Sequence, residues 1–205
     1  MTDDKLTMPP MFLPGVENNP QPGPYYEDIR RMQASGYEYS QIWHLFSYLP
    51  QATGHLARFT QEILRGPAPL STGMRELIAA YTSYQNECQF CLKSHAAIAT
   101  ELLGDEDLVW GVLRDLENSR LDEKHKALFR FAGKVTHDAQ RITAEDMKPL
   151  YAVGWDDDAI YFTITVCALF NFYNRWVGAS GVHVLSDEAH RQRGKWTAQQ
   201  GYVRS

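Results

Sequence analysis

Beyond residue 24 the apolar residues recur at three- and four-residue steps, and no run alternates with period two beside hairpin turn chemistry. This pattern predicts an all-α chain. Helices are expected over Tyr26 to Met32, over Ser40 to Leu49, and, after an interruption at Pro50, from His55 to Leu64. Gly66-Pro67-Ala68-Pro69 is a stop, after which Ser71 or Thr72 caps a helix that opens with Arg75 and Glu76. Further helices are expected from 89 to 103, ending at Gly104, and from Asp105 to Leu116. Asp122 caps one to His137, Thr143 caps one to Val153, and Asp156 to Asp158 open a long apolar one to Val177.

The first 24 residues hold six of the ten prolines, Pro9, Pro10, Pro14, Pro20, Pro22 and Pro24. Because proline fixes φ and lacks a donor, this stretch reads as an extended arm rather than helix or strand. Met8, Met11, Phe12 and Leu13 make it apolar enough to dock. The expected organisation is an arm over 1–24 and a single all-α domain over 25–205, with the motif-bearing core at 70–103.

Net charge is −5, the opposite of what phosphate neutralisation requires, so no nucleic-acid partner is expected. The most apolar stretch, Tyr161 to Phe170, is about half the ~20 residues a membrane span needs. The chain opens Met1-Thr2-Asp3-Asp4, without the basic and apolar regions of a secretory signal. Three cysteines do not make a disulfide scaffold. The expectation is therefore a cytoplasmic protein, in which a close cysteine pair is chemical rather than structural.

Such a pair exists. Cys88 and Cys91 are separated by two residues, and His95 follows four later. On a helix Cys88, Cys91, His95, Ile98 and Leu102 share one stripe, which should face the interior. Cysteines at i and i+3 lie about 5–6 Å apart, inside the disulfide range. A helix N-terminus favours a thiolate, and His95, one turn past Cys91, is placed to take or relay its proton. Glu76 and His95 are equidistant from a turn near Gln85-Asn86. If two antiparallel helices fold back there, Glu76 reaches the height of His95 and holds its tautomer.

Other readings compete. Either cysteine alone reads as a small core hydrophobe, and Glu76 alone as a complement to the helix dipole. A structural zinc site needs four protein ligands, and only Cys167 remains to join the pair; core packing explains Cys167 better. Haem attachment needs His directly after the second Cys, where Leu92 stands. Neither a metal nor another cofactor is expected.

The spacing Glu76-x11-Cys88-x2-Cys91-x3-His95, with Leu70-Ser71 before it, Asn86 ahead of the pair and Phe170-Asn171-Phe172-Tyr173-Asn174-Arg175-Trp176 later, resembles the AhpD-like alkylhydroperoxidases of the carboxymuconolactone decarboxylase superfamily, in particular their peroxidase-related branch. The resemblance runs from about residue 45 to 183. It implies an all-α homo-oligomer, a trimer or hexamer with a dimer as the smaller alternative. It also implies a thiol-dependent peroxidase that reduces hydroperoxides. Carried over, Cys91 attacks the peroxide, Cys88 resolves the sulfenic acid, and His95 and Glu76 relay protons. An external dithiol, a lipoyl protein in some members, restores the pair. Some members carry His between the cysteines; here Phe90 stands there. A decarboxylase-type lyase on the same fold would not need the cysteine pair, and a non-enzymatic redox-sensing oligomer would oxidise once without turnover.

The remaining histidines, His44, His55, His125, His137, His183 and His190, are scattered and read as core or surface residues. After Glu188 the tail carries Arg191, Arg193, Lys195 and Arg204 without an acid, the composition of a solvated or subunit-contacting terminus, with binding of an anionic partner as the lesser alternative. Phe170, Phe172, Tyr173 and Trp176 read as core or interface.

Overall fold

The computed structural model describes residues 8–204; Met1-Thr2-Asp3-Asp4 lies outside the described residues. Among these the chain forms α1 (Pro14–Glu17), α2 (Pro24–Ser35), α3 (Ile42–Tyr48), α4 (Pro50–Arg65), α5 (Thr72–Gln85), α6 (Gln89–Leu103), α7 (Glu106–Arg114), α8 (Glu123–Asp138), α9 (Lys148–Ala152), α10 (Asp157–Ser180) and α11 (Asp187–Gln200), and no strand. The fold is all-α, as the periodicity requires.

Three prolines correct the expected boundaries. Pro14, Pro24 and Pro50 each stand at the start of a helix rather than before or between helices. At the first helical position the missing N–H would be unpaired anyway, so proline is compatible there. The arm therefore contains a helical turn. It also lies on its own chain: Met11 is buried against Leu45, Phe90 and Val177, and the Phe12 N–H donates to Ser180 O at 3.1 Å. Gly181 has a φ of +74°, and any Cβ there would meet the Phe12 backbone nitrogen at 2.6 Å. Phe12 and Leu13 remain exposed. Past Thr143 the chain makes a 3₁₀ turn, Ala144–Met147, closed by a Thr143–Asp146 capping box, before the short α9.

The centre is the antiparallel pair α5–α6. Helix α5 buries eleven consecutive residues from Gly73 to Ser83, because α4, α6, α8 and α10 surround it. Ser71 caps it by accepting the Met74 N–H at 3.2 Å. The Arg75 guanidinium donates to Ile63 O at 2.7 Å and Gly66 O at 2.9 Å, tying the end of α4 to α5. The reversal into α6 is a Schellman turn. The Cys88 N–H donates to Ser83 O and the Glu87 N–H to Tyr84 O, both at 3.0 Å, with Glu87 left-handed at φ 56°. A non-glycine residue in that region is strained by about 1–2 kcal/mol. Replacing Glu87 with glycine should relieve more than the added unfolded-state entropy costs. We expect a gain of about 0.5–1 kcal/mol in urea unfolding, with an unchanged slope.

Helix α10 packs on α5 and α8 but leaves Tyr161, Ile164, Ala168 and Phe172 exposed along one stripe. Helix α11, which apolar spacing does not reveal, lies along α6. Their approach is close at Gly194, where a Cβ would stand 2.7 Å from Ala97 Cβ. No helix among the described residues is long and apolar enough to cross a membrane.

Candidate active site

The α5–α6 hairpin brings Glu76 and His95 to one height, and His95 Nδ1 donates to Glu76 Oε2 at 2.6 Å. Glu76 is fully buried. Burial pushes its carboxyl up, but the His95 ring, Arg65 and the Tyr202 hydroxyl outweigh that and hold it below the usual carboxylate range. Arg65 Nη1 donates to Oε1 at 2.6 Å and Tyr202 Oη at 2.5 Å. Burial beside Glu76 keeps the Tyr202 phenol well above its ordinary pKa, so it acts as a neutral donor. With Nδ1 bonded to the carboxylate, Nε2 is the His95 nitrogen left to exchange a proton with a ligand. Phe170 packs edge-on against the ring, centroids 4.3 Å apart.

Cys88 is the N-cap of α6 and Cys91 lies in its first turn. Cys88 is half-buried and Cys91 buried. The two thiols share a proton unequally. The adjacent Cys91 thiol lowers Cys88 to about 7 against the opposing effect of burial, with the Cys91 peptide N–H and the Asn174 amide adding to it. Cys91, donating to Cys88 and desolvated, is pushed well up. These shifts favour Cys88 as the first of the pair to lose its proton, whereas spacing from His95 points to Cys91. The deeper burial of Cys91 contributes to the difference. Asn174 is held in turn: its Nδ2 donates to Ser83 Oγ at 3.0 Å, and its Oδ1 accepts from Asn86 Nδ2 at 2.9 Å. Iodoacetamide should therefore alkylate Cys88 first, with a midpoint near pH 7 and a rate falling about tenfold per pH unit below it. Peptide mapping should find Cys91 and Cys167 unmodified at that pH.

Cys91 and His95 face one cavity of about 110 Å³, mainly apolar and partly lined by Phe46, Phe170 and Tyr173. Cys88 packs beside Cys91 in a cluster with Phe90, Met11 and Val177. Of the segment read as core or interface, Phe170 and Tyr173 belong to this wall. Cys167 is fully buried with its thiol pushed up to about 12, consistent with a packing role. Among the described residues no three His, Cys, Asp or Glu side chains cluster as metal ligands.

Arg65 and Tyr202 have no role in the sequence reading; Asn174 enters it only within the later aromatic segment, and Arg193 and Arg204 only as part of a basic terminus. Both arginines are among the residues lining the cavity. Tyr202 carries no local signal, since its role depends on the segment after α11 folding back, where its N–H donates to Gln61 Oε1 at 2.7 Å.

Residues 50–117 match the Carboxymuconolactone decarboxylase family. No curated protein matches the chain. Two crystal structures share the fold. One is an uncharacterized peroxidase-related protein from Silicibacter sp. TM1040, at 24% identity over 85% of this chain and 91% of that one, with a TM-score of 0.73. The other is described as an alkylhydroperoxidase AhpD core, an uncharacterized peroxidase-related protein from Ralstonia eutropha JMP134, at 18% identity over 92% and 98%, with a TM-score of 0.75.

Proposed function

We propose that this chain, a member of the AhpD-like carboxymuconolactone decarboxylase superfamily, is a thiol-dependent peroxidase working through Cys88 and Cys91. The observation that carries this reading is the cavity that exposes the buried Cys91 to a ligand alongside a histidine oriented by a buried carboxylate.

The reaction starts from the pair holding one proton. That proton passes from the Cys91 thiol to the Cys88 thiolate, which frees a Cys91 thiolate facing the cavity. Cys91 Sγ attacks the terminal oxygen of a hydroperoxide, the O–O bond breaks, and Cys91 becomes a sulfenic acid. The leaving alkoxide takes a proton from His95 Nε2, while Nδ1 stays bonded to the Glu76 carboxylate, and departs as an alcohol. The Cys88 thiol then attacks the sulfenic sulfur; an S–S bond forms and water leaves. An external dithiol reduces the disulfide by exchange and is itself oxidised. Cys88, the more accessible sulfur, meets that reductant.

Turnover separates this reading from a redox sensor. With dihydrolipoamide in excess, an enzyme consumes many equivalents of cumene hydroperoxide per chain, whereas a sensor stops after one. A stoichiometric stop overturns the peroxidase reading. The open stripe of α10 supports assembly as a homo-oligomer, because exposed apolar faces of this kind are uncommon on monomers; the family resemblance favours a trimer or hexamer, with a dimer as the smaller alternative. A solution mass of 23.4 kDa, that of one chain, overturns that part.

A further inference from the structure

We propose that the substrate of this cavity carries a carboxylate, held by Arg193 and Arg204 at the wall while the remainder of the molecule reaches Cys91 and His95. This rests on the peroxidase reading for the peroxide group, but the anion site stands on its own geometry.

Both arginines line the same cavity as Cys91, and its wall contains no acidic residue. The Arg204 side chain is only 10% exposed. Its guanidinium stacks over Trp196 at 4.1 Å, and that of Arg193 lies over Trp43 at 4.3 Å and Trp196 at 4.6 Å. These aromatic faces fix the planes of the guanidinium groups without using their in-plane N–H donors. Arg193 Nη2 and Arg204 Nε and Nη1 are buried without a hydrogen-bond partner among the described residues. Arg204 Nε is ion-paired with Asp28 Oδ2 at 3.5 Å, a carboxylate that also pairs with the exposed Arg31, so Asp28 only partly compensates the two guanidinium groups.

Burying a charged donor without an acceptor is costly, and two adjacent guanidinium groups also repel. Desolvation followed by that repulsion brings Arg193 down to about 9, and desolvation lowers Arg204 against the opposing effect of Tyr25, Asp28 and Tyr202. An anion in the cavity would supply the missing acceptors and offset the repulsion. A carboxylate suits the planar, bidentate donor geometry, and as a monoanion it loses less hydration in an apolar cavity than a phosphate dianion does.

Two measurements test this separately from catalysis. Reduced full-length protein is titrated calorimetrically with octanoate and with 1-octanol. Octanoate should bind at least tenfold more tightly, and Arg193→Met and Arg204→Met should each bring its affinity to the level of the alcohol. Equal affinities, or no binding of either ligand to the wild type, overturn the proposal; this comparison does not depend on whether the variants fold. Cumene hydroperoxide and its ring-carboxylated analogue are then compared as substrates. A tenfold or greater advantage in kcat/KM for the carboxylate, lost in both variants, supports the proposal, and no advantage overturns it. A tenfold octanoate preference without consumption of either peroxide supports the anion site and overturns the peroxidase reading.

Discussion

Cys91→Ser should lower hydroperoxide turnover by about 10³-fold or more, to the level of the reductant alone, because it removes the only proposed nucleophile facing the cavity. Cys88→Ser has a different signature. It removes both the thiolate that accepts the Cys91 proton and the thiol that resolves the sulfenic acid. One slow equivalent of peroxide should be consumed, and a dimedone probe should trap Cys91 as a sulfenic acid. His95→Ala should slow the first step and leave resolution intact, since its proton serves the leaving alkoxide. A trappable sulfenic acid at Cys88 in the Cys91→Ser variant, with none at Cys91 in Cys88→Ser, would reverse the roles.

Glu76→Ala should be the most destabilising single change at the site, by about 3–5 kcal/mol. The carboxylate is fully buried and takes donors from Arg65, His95 and Tyr202, so its removal leaves a buried guanidinium without its partner. Urea unfolding should show a fall in midpoint, and turnover should fall with it. The pH dependence has a definite sign. The folded-state pKa of Glu76 lies below its unfolded value. Its stabilisation is therefore fully present above about pH 4.3, the unfolded reference, and is lost as pH falls through the folded value. Glu76→Gln should remove this component of the acid sensitivity, so that its stability curve flattens relative to wild type below pH 4.

The hairpin and its triad-like contact were legible because the information is local. Equal separation from one turn places Glu76 opposite His95, and three- and four-residue steps place Cys91, His95 and Ile98 on the cavity wall, whereas Cys88, the N-cap, stands outside the helix and off that wall. Helix α11 was not legible for a specific reason. Its buried positions are His190, Gly194 and Thr197, so the side turned toward α6 is small and polar and gives no apolar period. What joins α11 to α6 is the absence of a side chain at Gly194, which has meaning only once Ala97 is known to face it. Arg193 and Arg204 read as solvated for a related reason: composition counts their charge but cannot show Trp43 and Trp196 closing over them. Tyr202 depends on a contact spanning 126 residues to Glu76. Burial of Cys91 was legible from the interior-facing stripe, but the direction of the shift within the cysteine pair was out of reach, since spacing from His95 favours Cys91 whereas the environment lowers Cys88 and raises Cys91.

The central claim, that Cys88 and Cys91 form a redox pair served by peroxide and dithiol, is tested most directly by counting thiols. The reduced protein carries three, at Cys88, Cys91 and Cys167. One equivalent of cumene hydroperoxide should remove two of them, peptide mapping should find a Cys88–Cys91 disulfide with Cys167 still free, and dihydrolipoamide should restore the original count. Three thiols remaining after peroxide, or loss at Cys167 instead of the pair, would contradict the account.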